Sequence, residues 1–289
     1  MGSQLSSVKA LMLVAAASSL LATVGVASAA EIASDNASNY TAGQFDSAIV
    51  PNQGSGFQNW YVNIVNNNSP PYAGLFLDTS GTSIATASNS WGVYANTPSG
   101  GNDPKVDLYR PLVGDNGTGT GALESGQTMS WSMLSTGVAG TGADNLTSIG
   151  VALQNGVNTG GFDEFVFEYG NFSGEGDHAL ISDANGTTST PIDFAELSAG
   201  LKLAFTLTTA STYNFTVDTT GGTLLYSHSG SIAASINQFD LFDYNTTGGD
   251  GYFNSLAVSS TSTPEPASLA MFGAGALGLL GLARRRWRI

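Results

Sequence analysis

The side chains of this sequence that are able to do chemistry are mostly oxygen donors. There is no cysteine, and the only histidines are His178 and His228. Thiolate catalysis and disulfides are therefore excluded, and a zinc site, which needs three or four soft or borderline ligands, finds barely two. No Gly-x-Ser-x-Gly elbow raises a serine as a nucleophile, and both histidines stand in polar stretches that read as exposed strand ends. Carboxylates are plentiful, as in Asp163-Glu164-Phe165-Val166-Phe167-Glu168. On a strand Glu164 and Glu168 share a face about 13 Å apart. A retaining glycosidase pair needs ~5 Å and an inverting pair ~6.5–9.5 Å, so these two are no catalytic couple, although a neighbouring strand can supply Glu164 with an acid. No catalytic residue is assigned and no enzymatic activity is expected.

Calcium suits this donor set better, because it takes carboxylate, amide and backbone oxygens. Asp35 and Asn36 near the first strand and Asp250 at the start of the last are candidate ligands of a structural Ca²⁺ if those strands are neighbours. Asp240-Leu241-Phe242-Asp243, read as a loop, is a second source, and solvated turn residues are the other reading of all of them. Among the aromatics, Trp60, Trp91, Trp131 and Tyr94 alternate with polar residues in strand-like runs and are expected in the core. Tyr40, Tyr61 and Tyr72 lie in or beside polar segments and are the candidates for a surface platform on which sugar rings stack.

The elements that must position these residues are strands. Runs such as 57–65, 127–134, 201–207 and 213–217 place apolar residues at every second position, which predicts strands with one buried face. Similar runs recur at 72–77, 91–95, 106–112, 148–154, 163–169, 179–182, 223–228, 237–243 and 251–258, separated by turn signals such as Asn155-Gly156 and Asn185-Gly186. Thirteen or so strands without crossover helices predict an all-β fold, a single antiparallel β-sandwich of jelly-roll type over residues 30–258.

The two ends differ from this body. Residues 1–29 read as a secretory signal peptide: Lys9, an apolar run over 10–26, then Ala27-Ser28-Ala29 as an A-x-A cleavage site for signal peptidase, with an uncleaved anchor as the alternative. A Ser/Thr linker at 259–263 leads to Pro264-Glu265-Pro266, seventeen uncharged residues to Ala283, and Arg284, Arg285, Arg286 and Arg288. Seventeen helical residues span about 25 Å, at the short limit for one transmembrane helix, and the arginines place the C-terminus in the cytoplasm. The ends hold five of the eight basic residues. Residues 30–263 keep only Lys105, Arg110 and Lys202 against 21 acidic residues, a net charge of −18, which excludes nucleic acid and anionic lipid as partners.

The order Pro-Glu-Pro, apolar segment, arginine cluster over 264–289 resembles the PEP-CTERM sorting signal of Gram-negative bacteria that make exopolysaccharide. The resemblance implies a temporary membrane anchor, recognised at Pro264, Glu265 and Pro266, held by Arg284, Arg285 and Arg286, and removed by an exosortase before release to the surface or matrix. An ordinary C-terminal anchor is the alternative. The stretch 213–258, closing on Asp250-Gly251-Tyr252-Phe253, resembles a concanavalin-A/laminin-G-type sandwich, and the segments at 33–37, 54–60 and 90–96 resemble other surface proteins with PEP-CTERM tails. Together these imply an exported matrix protein associated with exopolysaccharide; a dedicated carbohydrate-binding module and, third, a glycoside hydrolase are the alternatives.

Overall fold

The computed structural model describes residues 29–45, 49–65, 72–96, 104–114, 119–137, 147–170, 178–244, 246 and 249–260. The predicted signal-peptide helix, the cleavage residue Ala27, the linker beyond 260 and the whole tail, including Pro264, Glu265, Pro266 and the arginines, lie outside the described residues. Residues Glu31–Ser260 pack as a compact unit.

That unit is the predicted two-sheet antiparallel sandwich. Sixteen strands are described: β1 (Ala30–Asp35), β2 (Ile49–Val50), β3 (Trp60–Val65), β4 (Ala73–Asp78), β5 (Ser90–Ala95), β6 (Lys105–Pro111), β7 (Gln127–Ser135) and β8 (Ser148–Asn155), then β9 (Phe162–Gly170), β10 (Ala179–Asp183), β11 (Gly186–Ser189), β12 (Leu201–Leu207), β13 (Thr212–Thr219), β14 (Leu224–Ser231), β15 (Gln238–Tyr244) and β16 (Gly251–Ser260). Sheet I runs β14-β13-β12-β7-β16-β5-β4, with β1 also paired to β16, and sheet II runs β11-β10-β9-β8-β15-β6-β3-β2. Three of these strands escape the alternation pattern for a physical reason. β11, Gly-Thr-Thr-Ser, is exposed at every residue and has no apolar face to show, β2 is a two-residue piece at the edge of sheet II, and β1 pairs with β16 off the main path of sheet I. A six-residue helix, α1 (Phe194–Ala199), is held by a capping box in which Asp193 accepts from the Ala195 and Glu196 amides and Glu196 reaches back to the Asp193 amide.

The core lies between the sheets. Leu201, Leu203, Phe205 and Leu207 of β12 and Tyr213, Phe215 and Val217 of β13 point inward. They meet Phe165 and Phe167 of β9, with Phe165 ring centroids 5.1 Å from Phe205 and 4.8 Å from Phe215. Each such ring or aliphatic side chain contributes about 1.5–3 kcal/mol by leaving water. Trp60, Trp91 and Trp131 are at most 2% exposed, as their alternation predicts.

The first and last strands do meet, and protein side chains join them. Asn254 of β16 is fully buried; its Oδ1 accepts from the Ala37 amide at 2.9 Å, while its Nδ2 donates to the Ile84 and Asn89 carbonyls at 3.0 and 2.8 Å. A bulge follows at once, between Asn254 and Ala257, with Ser255 at φ 55°. The segment after β1 folds back over the core, so Tyr40 is 3% exposed and stacks edge-on against Phe45 and Trp91. Beneath it Arg110 Nη2 donates to Asp35 Oδ2 and Asn52 Oδ1, both at 2.5 Å, and its guanidinium lies 4.8 Å from the Trp60 ring.

Candidate functional site

Strand alternation divides sheet II into two faces. On β6, Val106, Leu108 and Arg110 point into the core, and Lys105, Asp107 and Tyr109 point away from it. The registers then place outward residues side by side across the strands. One row is Tyr61, Tyr109, Asp240, Ala152, Val166, Ser182 and Thr187; the next is Asn63, Asp107, Phe242, Gly150, Glu168 and Leu180. Adjacent strands are ~4.8 Å apart, so the stretch from β6 to β10 is about 19 Å wide. An open groove of about 310 Å³ lies along it, lined by Lys105, Asp107, Tyr109, Gln154, Asp163, Glu168, Ser182, Asp240 and Tyr244 among others. The Phe242 ring lies against Gly150, where any Cβ would collide with that ring and with the Phe167 carbonyl oxygen.

The groove is held rigid by its own hydrogen bonds. Asp107 accepts from Tyr244 Oη at 2.5 Å and from Asn63 Nδ2 at 2.8 Å, and Lys105 Nζ lies 3.5 Å from it. Tyr244 stacks on Phe242 with centroids 4.8 Å apart. Gln154 Nε2 donates to Asp163 Oδ1 at 2.8 Å and to Asp240 Oδ2 at 3.2 Å, which sets those two oxygens within about 6 Å of each other. Gln238 orients this amide by donating to Gln154 Oε1 at 2.5 Å. Asp240 is 2% exposed, and its Oδ1 has no hydrogen-bond partner among the described residues.

Burial dominates the electrostatics. It pushes the Asp240 carboxyl well above the usual carboxylate range, and the charges of Asp107 and Asp163 push in the same direction. Glu168 is raised by burial against a hydrogen bond from Ser148. The Tyr109 and Tyr244 phenols are also raised, by burial first and then by the charges of Asp240 and Asp107, so both stay protonated donors.

Sequence-predicted site residues are placed differently. Tyr40 is no platform: it is buried, and its hydroxyl donates to Asp35 Oδ2 at 2.5 Å and accepts from Trp60 Nε1 at 3.1 Å. Tyr61 is half-buried on β3 opposite Tyr109, at the margin of the groove, whereas Tyr72 precedes β4 in the other sheet. Asp35 has both oxygens engaged: Oδ1 accepts from the Asn36 amide and Asn39 Nδ2, and Oδ2 from Arg110 and Tyr40. Asn36 caps a 3₁₀ turn by accepting from the Ser38 amide at 3.0 Å. Asp250 has partners of its own, with Tyr252 Oη donating to it at 3.3 Å and its amide donating to Thr136 Oγ1. Among the described residues, no three His, Asp or Glu side chains are grouped so as to hold a metal ion.

Residues 240–243 form strand, so Asp240 and Asp243 face opposite sides; Asp243 lies in the core, accepting from Thr246 Oγ1 at 2.6 Å. Glu164 and Glu168 share no face either, because a bulge at Leu153/Gln154 turns Glu164 aside to accept the Ala233 and Ala234 amides at 2.8 Å. His228 sits within β14, its ring 6.4 Å from that of Tyr226, and is not at a strand end. Sequence reasoning missed the groove residues Asp107 and Gln154 and took Asp240 only as a loop source of Ca²⁺ ligands, although aspartate inside an otherwise apolar strand run, as in Val106-Asp107-Leu108 and Phe239-Asp240-Leu241, is a legible signal because strands disfavour it.

Comparison with known proteins bears on the two parts of the chain separately. Residues 262–286 match the PEP-CTERM protein-sorting motif, so the chain is an exported protein sorted to the cell surface through a membrane-anchored route that an exosortase serves. No curated protein matches the sequence. Similar solved structures include the receptor binding domain of botulinum neurotoxin D, with 12% identity, 74% of this chain covered and a TM-score of 0.37. The chain spans about half of that protein, 48%. The globular domain of T. cruzi calreticulin is 9% identical over 75% of this chain and 90% of its own, with a TM-score of 0.43. A family 7 alginate lyase is 12% identical over 71% and 84%, with a TM-score of 0.37.

Proposed function

We propose that the protein is an exported matrix component that associates with exopolysaccharide outside the cell and does no catalysis of its own. The observation that carries this reading is the joining of a sorting motif at 262–286 to an all-β body with a net charge of −18 outside the two ends. Signal peptidase removes residues 1–29 after Ala29, and the tail then holds the chain in the inner membrane with its arginines in the cytoplasm. Cleavage at Pro264-Glu265-Pro266 releases the body. The strong negative charge keeps it hydrated and unattached to anionic lipid. Contacts to the polymer are polar, weak and repeated.

The test is fractionation of cells making the wild-type chain and a Pro264→Ala/Pro266→Ala variant. Wild-type protein is expected in the matrix fraction without residues 267–289, and the variant in the membrane fraction at full length. Matrix material that still carries residues 267–289, or a variant released as well as wild type, overturns the sorting step.

Hydrolysis of a glycosidic bond is a second reading, favoured by one observation: Asp163 and Asp240 have carboxyl oxygens within about 6 Å in a groove, which reaches the ~5 Å spacing of a retaining pair. The amide of Gln154 already bridges the two, which suits a fixed binding surface better than a proton relay. Release of reducing ends from polysaccharide by wild type, absent in Asp163→Asn, is the result that would favour hydrolysis.

A further inference from the structure

The outer face of sheet I carries a cluster of rings where β4 and β5 have glycines. On β5, Trp91, Val93 and Ala95 are buried in the core, so Gly92 and Tyr94 face outward, and Tyr94 is half-buried there and not in the core with the tryptophans. The registers set Gly92 between Phe76 of β4 and Tyr252 of β16, and Tyr94 opposite Gly74 of β4. A Cβ at Gly92 would meet Cζ, Cε1 and Cε2 of Phe76 at nearly equal distances, and one at Gly74 would meet Oη, Cζ and Cε1 of Tyr94 in the same way. Near-equal distances to three such atoms mean that each ring lies with a face, not an edge, against its glycine. Glycine weakens a strand interior, and at these two positions it is what lets a ring lie flat on the sheet with its other face pointing away from it. Tyr252 stands at 90° to Phe76 with ring centroids 5.9 Å apart, so a flat ring meets an upright one. Two carboxylates flank the pair. Asp78 is the next outward position after Phe76 on β4, and Asp250 precedes Tyr252, whose Oη donates to its Oδ2 at 3.3 Å. Phe76, Tyr252, Asp78 and Asp250 are all half-buried and reach solvent.

We infer that Phe76, Tyr94 and Tyr252 form a binding site for an amine-bearing sugar chain, with one sugar ring laid on Phe76 against Tyr252 and its ammonium group beside Asp250. The inference rests on the exopolysaccharide reading above and names a site and a ligand class for it. Shape argues for a sugar. A pyranose has an apolar face of C–H groups, and a flat ring beside an upright one gives that face a floor and a wall, while two tyrosine hydroxyls belong to the same cluster. Charge argues for an amine. Among the described residues Lys202 of β12 is the only Lys or Arg in the strands of sheet I, and β7 lies between β12 and β16. Burial and the charge of Asp78 both raise the Asp250 carboxyl, and the side-chain hydrogen bond that opposes them comes from the neutral Tyr252 hydroxyl. An ammonium group is the partner that stabilises the ionised form of such a carboxylate, and aromatic faces attract it as well. A uronate or sulfated chain meets repulsion from Asp78, from Asp250 and from a body whose net charge is −18.

The experiment uses the full chain in detergent, titrated calorimetrically in mildly acidic buffer with the glucosamine hexamer, its N-acetylated form, cellohexaose and hexamannuronate. A co-sedimentation arm uses polysaccharide from the matrix. Phe76→Leu keeps Gly92 covered but removes the ring face, and Asp250→Asn removes the charge while leaving an acceptor for Tyr252. Melting curves show that these variants fold, and Tyr252→Leu takes the place of Phe76→Leu if that one does not. Glu124→Gln removes an exposed acid just before β7, at the end of that strand far from Tyr252, and reads the attraction of overall charge alone. Binding of the glucosamine hexamer, weakened tenfold or more by Phe76→Leu and by Asp250→Asn but less than twofold by Glu124→Gln, supports the site. Equal affinity for wild type and Phe76→Leu, or equal losses in Asp250→Asn and Glu124→Gln, overturns it. Tighter binding of the N-acetylated hexamer, cellohexaose or hexamannuronate overturns the ligand class. Sedimentation with matrix polysaccharide without binding of any hexamer overturns the site and leaves the exopolysaccharide reading standing, and failure of both overturns both.

Discussion

Replacing Asp35 by alanine tests how the N-terminal segment is locked onto the sandwich. Both partners of the Asp35–Arg110 pair have side chains 0% exposed, so solvent screening offers no relief when the carboxylate goes. The guanidinium is left buried with Asn52, Tyr40 and the Gln58 carbonyl as its remaining oxygen partners. Breaking a buried pair from one side costs about 3–5 kcal/mol. A domain of this size loses about 2–4 °C of Tm per kcal/mol, so the midpoint is expected to fall by roughly 6–20 °C. Removing both charges in Asp35→Leu/Arg110→Met leaves no unpaired charge. It forgoes the neutral hydrogen bonds of the Asn36 amide, Tyr40, Asn52 and the Gln58 carbonyl to this pair, and the cation–π contact over Trp60 at 4.8 Å, about 2 kcal/mol when desolvated. The double variant should therefore be more stable than Asp35→Ala. The assay is thermal and guanidinium unfolding followed by near-UV circular dichroism, which reads the packed Tyr40, Trp60 and Trp91 rings directly. A loss below about 1 kcal/mol for Asp35→Ala, or a double variant as unstable as the sum of the single changes, would refute the reasoning.

Three further outcomes are expected. Asn254→Ala leaves the Ala37 amide and the Ile84 carbonyl unpaired and leaves the Asn89 carbonyl with the Thr86 amide alone, with an expected loss of about 3 kcal/mol by denaturant titration and early exchange of the Ala37 amide. Asp240 and Asp243 both have pKa values raised by burial, so the folded state holds their protons more tightly than the unfolded chain does. Their stability contribution is full below the ordinary carboxylate range and is lost as pH rises through the folded values; Asp240→Asn should raise the Tm more at pH 8 than at pH 5, and an equal effect at both would contradict this. With Asp35 fully hydrogen-bonded and Asp250 engaged elsewhere, melting in calcium and in chelator should give one midpoint, and an upward shift with calcium would restore a structural ion.

Much of the fold was legible because it depends on period. The alternation in Leu201–Leu207 and Tyr213–Val217 is a local property of the chain, and it put the inward residues where the structure has them. The helix α1 was legible in principle too, since Asp193 and Glu196 stand at capping-box spacing before Gly200. The candidate site was hardly legible. Asp107, Gln154, Glu168 and Asp240 come from four strands, β6, β8, β9 and β15, and only the register of sheet II brings them into one groove. Tyr40 misled because polarity of the surrounding segment says nothing about whether that segment folds back over the core. Glu164 misled because one bulge turned it off the face that strict alternation assigns.

Sequence by itself determined the route and the class of this protein: a sorting motif read linearly as proline, apolar run and arginine, and a cysteine-free chain whose two-residue period admits little but strands. Both are short-range properties, carried within a few neighbouring residues. Tertiary structure decided which carboxylates are alone and which are paired. Asp35 and Asp240 are alike as residues, each 2% exposed, yet one meets Arg110 from 75 residues away and the other has a glutamine amide on one oxygen and no hydrogen-bond partner among the described residues on its buried second oxygen. That difference arises from long-range pairing of strands, which no short stretch of the chain encodes.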